Sequence, residues 1–272
     1  YTASGIQAAE AIVMEDSVGS GPVIPTGPLY TIPLESDPDS EFVYYLDFDG
    51  EVVEGTPWLG GARIDAAPHP RAEDNAFVTR VWRRVVEDFA PYKLNVTTDR
   101  EVYDAAVPTQ RMMCVITPTR TTAPSAGGVA FLNSFRTDSP VVWAFNLSEF
   151  GSASTASHEA GHAFGLRHDG TTEDVEYYPG HNTDYTPGWA PIMGGGDYQL
   201  DQWSRGEYNN ANNQEDDTAI IGNTSNGLGF RNDDHANVFD DNNVSTLSIV
   251  GPDNLGADGV ISQQADIDFF RF

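Results

Sequence analysis

The chain has 272 residues, with 41 acidic and 14 basic side chains and a formal net charge of −27. That length is ample for a large buried core, whereas so acidic a surface argues against electrostatic binding to nucleic acid or to anionic membranes. A single cysteine, Cys114, excludes a disulfide within these residues, and no apolar run is long enough to span a bilayer. We therefore expect no nucleic-acid partner and no membrane insertion.

Residues 1–40 are rich in Gly, Pro, Ser and acidic side chains. This composition predicts an extended N-terminal arm, or the remnant of a pro-segment, with little core of its own. A strand is predicted at 42–48, before the turn signal Asp49-Gly50. The clearest helix is predicted at 74–92, because apolar residues recur there at helical spacing and Pro91 marks the end.

The rest of the central region predicts more strands and a second long helix. Further strands are expected at 94–98, 112–117, 127–133 and 140–146. A Ser/Thr/Ala-rich helix is expected at about 152–164, followed by a loop-rich stretch at 170–200 and short helices at 202–208 and 214–221. The fold class expected from this order is α+β, with a mixed, twisted five-stranded sheet and a small lower subdomain.

The most informative segment is 158–169, which reads His-Glu-Ala-Gly-His-Ala-Phe-Gly-Leu-Arg-His-Asp. On a helix, His158 and His162 lie one turn apart on the same face, so both can bind one metal ion. Gly165 allows the backbone to leave the helix with a positive φ, and the turn brings His168 back as a third ligand. Three neutral imidazoles with one open position are typical of a catalytic zinc site rather than a structural one.

This spacing resembles that of the metzincin zinc peptidases, and Asp169 directly after the third histidine strengthens the likeness. Residues 190–194, Ala-Pro-Ile-Met-Gly, lie where that family carries a Met-turn below the metal. Gly195 departs from the pattern of astacin-like and serralysin-like members, which have a tyrosine two residues after the methionine. On this point the chain is more similar to adamalysins, and whether Tyr198 substitutes is left open.

The resemblance implies a zinc endopeptidase with one catalytic Zn²⁺ held by His158, His162 and His168. Glu159 would take a proton from the attacking water and pass it to the leaving amine. Met193 would form an apolar floor below the imidazoles, and Asp169 would accept hydrogen bonds that fix the turn at the third histidine. The family's substrate-binding edge strand corresponds here to Gly128, Val129, Ala130 and Phe131, and an ordinary strand of the sheet is the alternative.

The last part of the chain, 225–272, resembles the beginning of the pre-peptidase C-terminal β modules of secreted bacterial peptidases, with strands predicted at 245–250, 260–262 and 266–272. The catalytic domain is then expected at 41–224. Acidic clusters at 232–235 and 240–243 are candidates for structural Ca²⁺, although solvated turns are the alternative reading. A secreted, monomeric protein that acts on proteins or peptides is expected.

Two other functional classes are compatible with the sequence. One is a zinc hydrolase of non-peptide amides or esters, because the metal chemistry does not specify the acyl group. The other is a secreted, calcium-dependent binding or adhesion protein. Outside the zinc motif, His69 and His181 are predicted to be surface loop residues, and Cys114 a buried structural thiol.

Overall fold

A computed structural model describes residues 32–183, 186–196, 200–235, 245–246, 248–251, 254–256, 259–260, 266, 268 and 270–271. The predictions for residues 1–31, for Tyr198 and for the acidic cluster at 240–243 concern residues outside this set.

Most of the regular structure lies in the first two thirds of the chain. In chain order, the elements up to the long central helix are β1 (Val43–Asp47), β2 (Val52–Val53), a 3₁₀ helix (Trp58–Gly61), β3 (Ile64–Asp65), α1 (Asn75–Asp88), β4 (Asn95–Thr97), α2 (Arg100–Ala105), a 3₁₀ helix (Pro108–Gln110), β5 (Arg111–Ile116), β6 (Gly128–Val129), β7 (Val141–Ala144) and α3 (Glu149–Phe164). The elements after it are β8 (His181–Thr183), β9 (Thr186–Pro191), β10 (Leu200–Gln202), α4 (Asp217–Ile221), β11 (Ser245–Thr246), β12 (Ser248–Gly251), β13 (Asn254–Gly256) and β14 (Phe270–Arg271).

A mixed five-stranded sheet forms the centre of the fold, which confirms the expected sheet and is compatible with the α+β class. Its strands lie in the order β4-β1-β5-β7-β6. The first four run parallel, and β6 pairs antiparallel with β7 at one edge. Successive side chains of a strand point to opposite faces, so Tyr44 and Leu46 enter one core while Val43 and Tyr45 enter another. Both faces of the sheet are therefore covered, as is usual for parallel strands.

Helices α1 and α3 pack side by side on one face of the sheet. Helix α1 begins after Asp74, whose carboxylate accepts a hydrogen bond from the Phe77 N–H (3.0 Å). It ends at Asp88, one turn before the predicted end at residue 92. Helix α3 begins after Ser148, whose hydroxyl accepts from the Gly151 N–H (3.0 Å), slightly earlier than predicted. The carboxyl-terminal half of α3 lies against residues that follow it in the chain, since a β-carbon on Gly161 would lie 2.5 Å from Met193 Sδ and 3.2 Å from the Trp203 ring.

The N-terminal arm covers the outer edge of strand β4. The Ser36 N–H donates to the Val96 carbonyl (3.2 Å), and the Thr98 N–H donates to the Leu34 carbonyl (3.0 Å). These bonds pair the otherwise open backbone groups of an edge strand. The opposite edge of the sheet is β6.

Below the sheet, a small second sheet runs in the order β10-β9-β8. One prediction for this region is wrong. The stretch 170–200 is loop-rich, as predicted, although it also contains β8 and β9. By contrast, 202–208 was expected to be helical but contains the end of β10 and turns. Gly206 has φ 78°, a left-handed conformation that ends any helix there. The predicted helix at 214–221 is present as α4.

Residues after the predicted boundary at 224 continue to contact the sheet-and-helix body. The Lys93 N–H donates to the Gly229 carbonyl (3.2 Å), and the Arg231 N–H donates to the Pro91 carbonyl (2.8 Å). Further along, β11 pairs with β14 and β12 pairs with β13, so strands occur where 245–250 and the end of 266–272 predicted them. Residues 261 and 262 of the predicted strand 260–262 lie outside the described residues.

Candidate metal centre

Helix α3 places two of the three predicted ligands. His158 and His162 lie one turn apart, with ring centroids 4.8 Å from each other. The helix ends at Gly165, whose φ of 112° suits glycine alone, and the Leu166 N–H closes the last turn by donating to the Gly161 carbonyl (2.9 Å). A β-carbon on Gly165 would lie 2.5 Å from Asn133 Oδ1, so a larger residue would also require the Asn133 side chain to move.

The turn at Gly165 returns the chain toward the helix and brings His168 to the other two histidines. Its ring centroid lies 4.7 Å from that of His162 and 5.3 Å from that of His158. One ring nitrogen from each of the three lies within 4.8 Å of the others. The structure thus brings together the three side chains that the sequence predicted as ligands.

Each imidazole is oriented by a hydrogen bond at its Nδ1 atom. His158 Nδ1 lies 2.8 Å from the Ile192 carbonyl oxygen, and His162 Nδ1 lies 2.8 Å from the Leu166 carbonyl oxygen. His168 Nδ1 lies 3.1 Å from Glu176 Oε1. A carbonyl or carboxylate oxygen only accepts, so each Nδ1 carries the proton and each Nε2 of the neutral ring presents a lone pair.

Three lone pairs therefore converge on one small space. His162 Nε2 and His168 Nε2 are 3.0 Å apart, and the buried His158 Nε2 has no hydrogen-bond partner among the described residues. Two lone pairs at this distance repel unless a positive charge lies between them. Zinc binds imidazole nitrogen at about 2.0–2.1 Å, so the donor set and its spacing fit this ion.

The electrostatics of the site keep the three rings neutral. Burial, followed by the neighbouring histidines, holds the pKa of His158 well below its ordinary value. Burial and His168 lower the pKa of His162 to about 3, and burial lowers that of His168 to about 4. Imidazoles that are neutral across the physiological range are ready to bind a metal without first losing a proton.

Glu159 follows the first histidine and is almost completely buried. Its Oε2 atom has no hydrogen-bond partner among the described residues, and burial raises the pKa of the carboxyl well above its ordinary value. The side chain lies against the edge strand, because a β-carbon on Gly128 would be only 2.5 Å from Glu159 Oε1. A carboxyl group with a raised pKa and a free oxygen is suited to accept and return a proton.

The predicted edge strand is shorter than expected. Gly128 and Val129 form β6, and Ala130 and Phe131 continue the chain beyond it. Val129 and Ala130 are buried, whereas Phe131 is half-buried and packs on Trp58, with ring centroids 4.2 Å apart. Of these four residues, Gly128 is the one that contacts Glu159.

Met193 lies in a turn after β9, directly below helix α3. It is fully buried, and its Sδ atom would be 2.5 Å from a β-carbon on Gly161, so the helix approaches the thioether as closely as glycine permits. The residue before it, Ile192, supplies the carbonyl that orients His158. The turn therefore supports the histidines through both backbone and side chain.

Asp169 joins this turn to the loop after His168 through its backbone. Its N–H donates to the Met193 carbonyl (2.8 Å), and its carbonyl accepts from the Tyr178 N–H (2.6 Å). The carboxyl is buried, and no hydrogen bond from a described residue reaches Oδ2. Burial and the charges of Glu215 and Glu207 raise its pKa to about 7. The sequence predicted that the side chain would accept hydrogen bonds here, whereas the backbone makes the contacts that the structure describes.

Two residues of the site were not predicted from the sequence. Glu176 orients His168, and Tyr177 packs on the same ring with centroids 4.3 Å apart. Both directly follow a turn that is closed by the Thr171 N–H, which donates to the Val175 carbonyl (2.7 Å). No periodicity marks such a loop; the available signal was an acidic and an aromatic residue within ten positions of the third histidine.

The histidines outside the motif take no part in the centre. The prediction that His69 is a surface residue is wrong, since it is 2% exposed and stacks on Phe77 with ring centroids 4.8 Å apart. Burial lowers its pKa to about 4. His181 is exposed, as predicted, and lies 3.0 Å from the Tyr178 hydroxyl. Cys114 is buried, also as predicted.

Acidic side chains also cluster in the C-terminal region. Asp234, His235 and Asp268 form one group with potential ligand atoms within 4.8 Å of one another, and Asp233, Asp266 and Asp268 form a second. The members are exposed or half-buried. The first cluster includes part of the predicted calcium candidate at 232–235.

No protein-family model matches this sequence, and no curated protein matches it. In the part of the chain that the structure describes, no helix is both long enough and apolar enough to cross a membrane.

Proposed function

We propose that this chain is a zinc-dependent endopeptidase of the metzincin type. The observation that carries the proposal is the convergence of three Nε2 lone pairs beside a buried carboxyl group with a free oxygen. His158, His162 and His168 would hold one Zn²⁺, which when bound supplies a Lewis acid and lowers the pKa of a bound water. The resemblance of the motif to metzincins supports the same assignment.

Glu159 is the proton carrier in this proposal. Its buried carboxylate accepts the proton of the attacking water and then donates it to the nitrogen of the leaving amine. The surrounding burial favours the protonated form, which makes return of the proton easier. Gly128 leaves the space beside the sheet that the carboxyl group occupies, because a β-carbon there would lie 2.5 Å from Glu159 Oε1.

The edge of the sheet supplies the proposed binding surface for an extended peptide. Strand β6 pairs with β7 on one side only, and no strand among the described residues pairs with its other side. Main-chain hydrogen bonds to such an edge do not depend on side chains, so many sequences would be accepted. Since β6 also contacts Glu159 through Gly128, a bound peptide would pass the carboxyl group.

The location and assembly proposed for the protein follow from its composition. A net charge of −27 keeps a protein soluble and well separated from other anions. We propose a secreted, monomeric enzyme whose partners are protein or peptide substrates. A structural Ca²⁺ in the C-terminal region remains part of this proposal.

The test is casein hydrolysis by the purified chain, measured together with its metal content. We expect one zinc per chain, loss of cleavage with a zinc-selective chelator and recovery when zinc is added back. Bound zinc with cleavage of small amides or esters alone would favour the non-peptide hydrolase. Ligand binding that persists after zinc removal, without any hydrolysis, would favour the calcium-dependent binding protein.

A further inference from the structure

Among the described residues, Tyr177 is an aromatic side chain outside the motif that packs on the histidines of the centre. Its ring centroid lies 4.3 Å from that of His168 and 6.3 Å from that of His158. The side chain is half-buried, so part of its surface is accessible to solvent.

Two neighbouring segments hold this tyrosine in place. The Tyr178 N–H donates to the Asp169 carbonyl (2.6 Å), and the Tyr178 carbonyl accepts from the Gly195 N–H (3.0 Å). A β-carbon on Gly195 would lie 2.9 Å from Tyr177 Cβ and 3.6 Å from Tyr177 Cγ. Glycine at 195 therefore leaves the space that the tyrosine ring occupies beside His168.

The described side chains of the predicted site, the three histidines and Glu159, present hydrogen-bond acceptors to its interior. The Nε2 atoms of the three histidines present lone pairs, and their N–H groups point away toward the Ile192 carbonyl, the Leu166 carbonyl and Glu176. The carboxylate of Glu159 also accepts when it is ionised. Attack on an amide carbonyl creates an oxyanion, which needs a donor held near it.

We infer that Tyr177 is a catalytic residue whose phenol O–H donates a hydrogen bond to the oxyanion that develops on the substrate. This inference rests on the proposed hydrolase function and adds to it the donor that the histidines and Glu159 do not supply. The phenol remains protonated throughout and stabilises the negative charge on oxygen without transferring its proton.

The experiment compares Tyr177→Phe with Tyr178→Phe. Both variants lose one phenol hydroxyl and keep the ring, but the Tyr178 ring stacks on Tyr208, 4.1 Å away, and its hydroxyl lies at His181. We expect Tyr177→Phe to keep its zinc affinity and KM while kcat falls about 100-fold, the usual effect of removing one oxyanion donor. Tyr178→Phe is expected to retain wild-type kcat.

A second measurement does not depend on turnover. Cobalt-substituted protein is titrated with phenylphosphonate, an oxyanion that binds metal, and binding is followed by the visible absorption of Co²⁺. Tyr177→Phe is expected to bind the phosphonate at least tenfold more weakly than wild type, about 1.4 kcal/mol, with no change in Tyr178→Phe.

The outcomes separate the inference from the proposed function. Wild-type kcat and wild-type phosphonate affinity in Tyr177→Phe would overturn the role of the phenol and leave the peptidase intact. A zinc-loaded wild type that cleaves no casein would overturn the peptidase, and the phosphonate titration would still decide the role of Tyr177. A chain that binds neither zinc nor cobalt would overturn both.

Discussion

At the scale of single residues, each histidine of the centre depends on the atom that accepts a hydrogen bond from its Nδ1. For His158 and His162 that atom is a backbone carbonyl oxygen, fixed by the fold. For His168 it is a carboxylate oxygen of Glu176, whose side chain is 51% exposed. The third ligand is therefore the one whose orientation depends on an exposed side chain.

Replacing Glu176 by alanine is expected to weaken zinc binding about tenfold, the lower end of the effect of losing a group that orients a metal ligand. The physical reason is that His168 loses the acceptor that fixes its tautomer and ring position. Affinity is measured by competition with a chromophoric chelator. Glu173→Ala is the control, since it removes a negative charge from the same loop without touching a histidine. Equal affinities in the two variants would contradict this role.

At the scale of elements, helix α3 and the turn after it determine whether the third histidine meets the first two. Gly165 combines φ 112° with a position 2.5 Å from Asn133 Oδ1 for any added β-carbon. Gly229 also has a positive φ, 66°, but no described atom lies within 4 Å of a β-carbon there. Comparing substitutions at these two glycines therefore separates the effect of backbone strain from the effect of crowding.

Gly165→Ala is expected to lower the free energy of unfolding by about 1–3 kcal/mol and to weaken zinc binding, because the turn that carries His168 must shift. Gly229→Ala is expected to cost about 1 kcal/mol through its backbone alone and to leave zinc affinity unchanged. Urea unfolding and chelator competition measure the two effects. Unaltered zinc affinity in Gly165→Ala would show that the turn tolerates the change.

The secondary-structure elements also show which parts of the fold could be predicted from the sequence. Helix α1 was predicted because residues such as Val78, Val81 and Val85 recur at helical spacing, and the structure shows these three buried on one side of the helix. The spacing of His158 and His162 likewise predicted that they lie one turn apart, because both residues belong to one helix. By contrast, the residues at 202–208 contain turns and the end of a strand, and that strand forms through its pairing with β9, which no local periodicity marks.

Contacts between distant segments account for the other differences. His69 has no local feature that marks it as buried, and its burial results from packing on Phe77 and the Leu147 carbonyl, 3.3 Å from Nε2. Glu176 and Tyr177 reach the centre through a loop whose path depends on the Asp169 and Gly195 backbone. Periodicity carries no information about such contacts, so they could not be predicted from one sequence.

At the scale of the whole molecule, several acidic side chains lie in the buried interior rather than on the surface. Asp217 is fully buried, its Oδ2 accepts from the Ser204 N–H (3.0 Å), and Oδ1 has no partner among the described residues. Burial, together with the charge of Asp169, raises its pKa to about 8. Because the folded state holds this proton more tightly than the unfolded state, stability falls as pH rises from the ordinary carboxyl pKa of 3.8 to the folded-state pKa of about 8.

Asp217→Asn is therefore expected to flatten the decline of stability between about pH 4 and pH 8, the window between the ordinary and the folded-state pKa of the carboxyl group. Below about pH 4 the group is largely protonated in both states of the wild type, which sets the reference for the comparison. Toward pH 8 the unfolded wild type has released its proton while the folded protein still holds it, so the wild type should lose stability relative to Asp217→Asn by at most about 1.4 kcal/mol per pH unit, and the difference should level off above pH 8. Asp216→Asn, at the N-cap of α4, is the control, since that side chain is 44% exposed. Parallel pH profiles for wild type and Asp217→Asn would contradict the assignment.

The measurement that tests the central proposal most directly is the rate of casein cleavage by zinc-loaded Glu159→Gln. The variant keeps the three imidazoles and the shape of the side chain but cannot accept a proton. We predict one zinc per chain, a wild-type unfolding profile and cleavage slower by about 10²–10⁴-fold, while Glu149→Gln, at the other end of the same helix, cleaves at the wild-type rate. Wild-type cleavage by Glu159→Gln with its zinc bound would contradict the proposed mechanism.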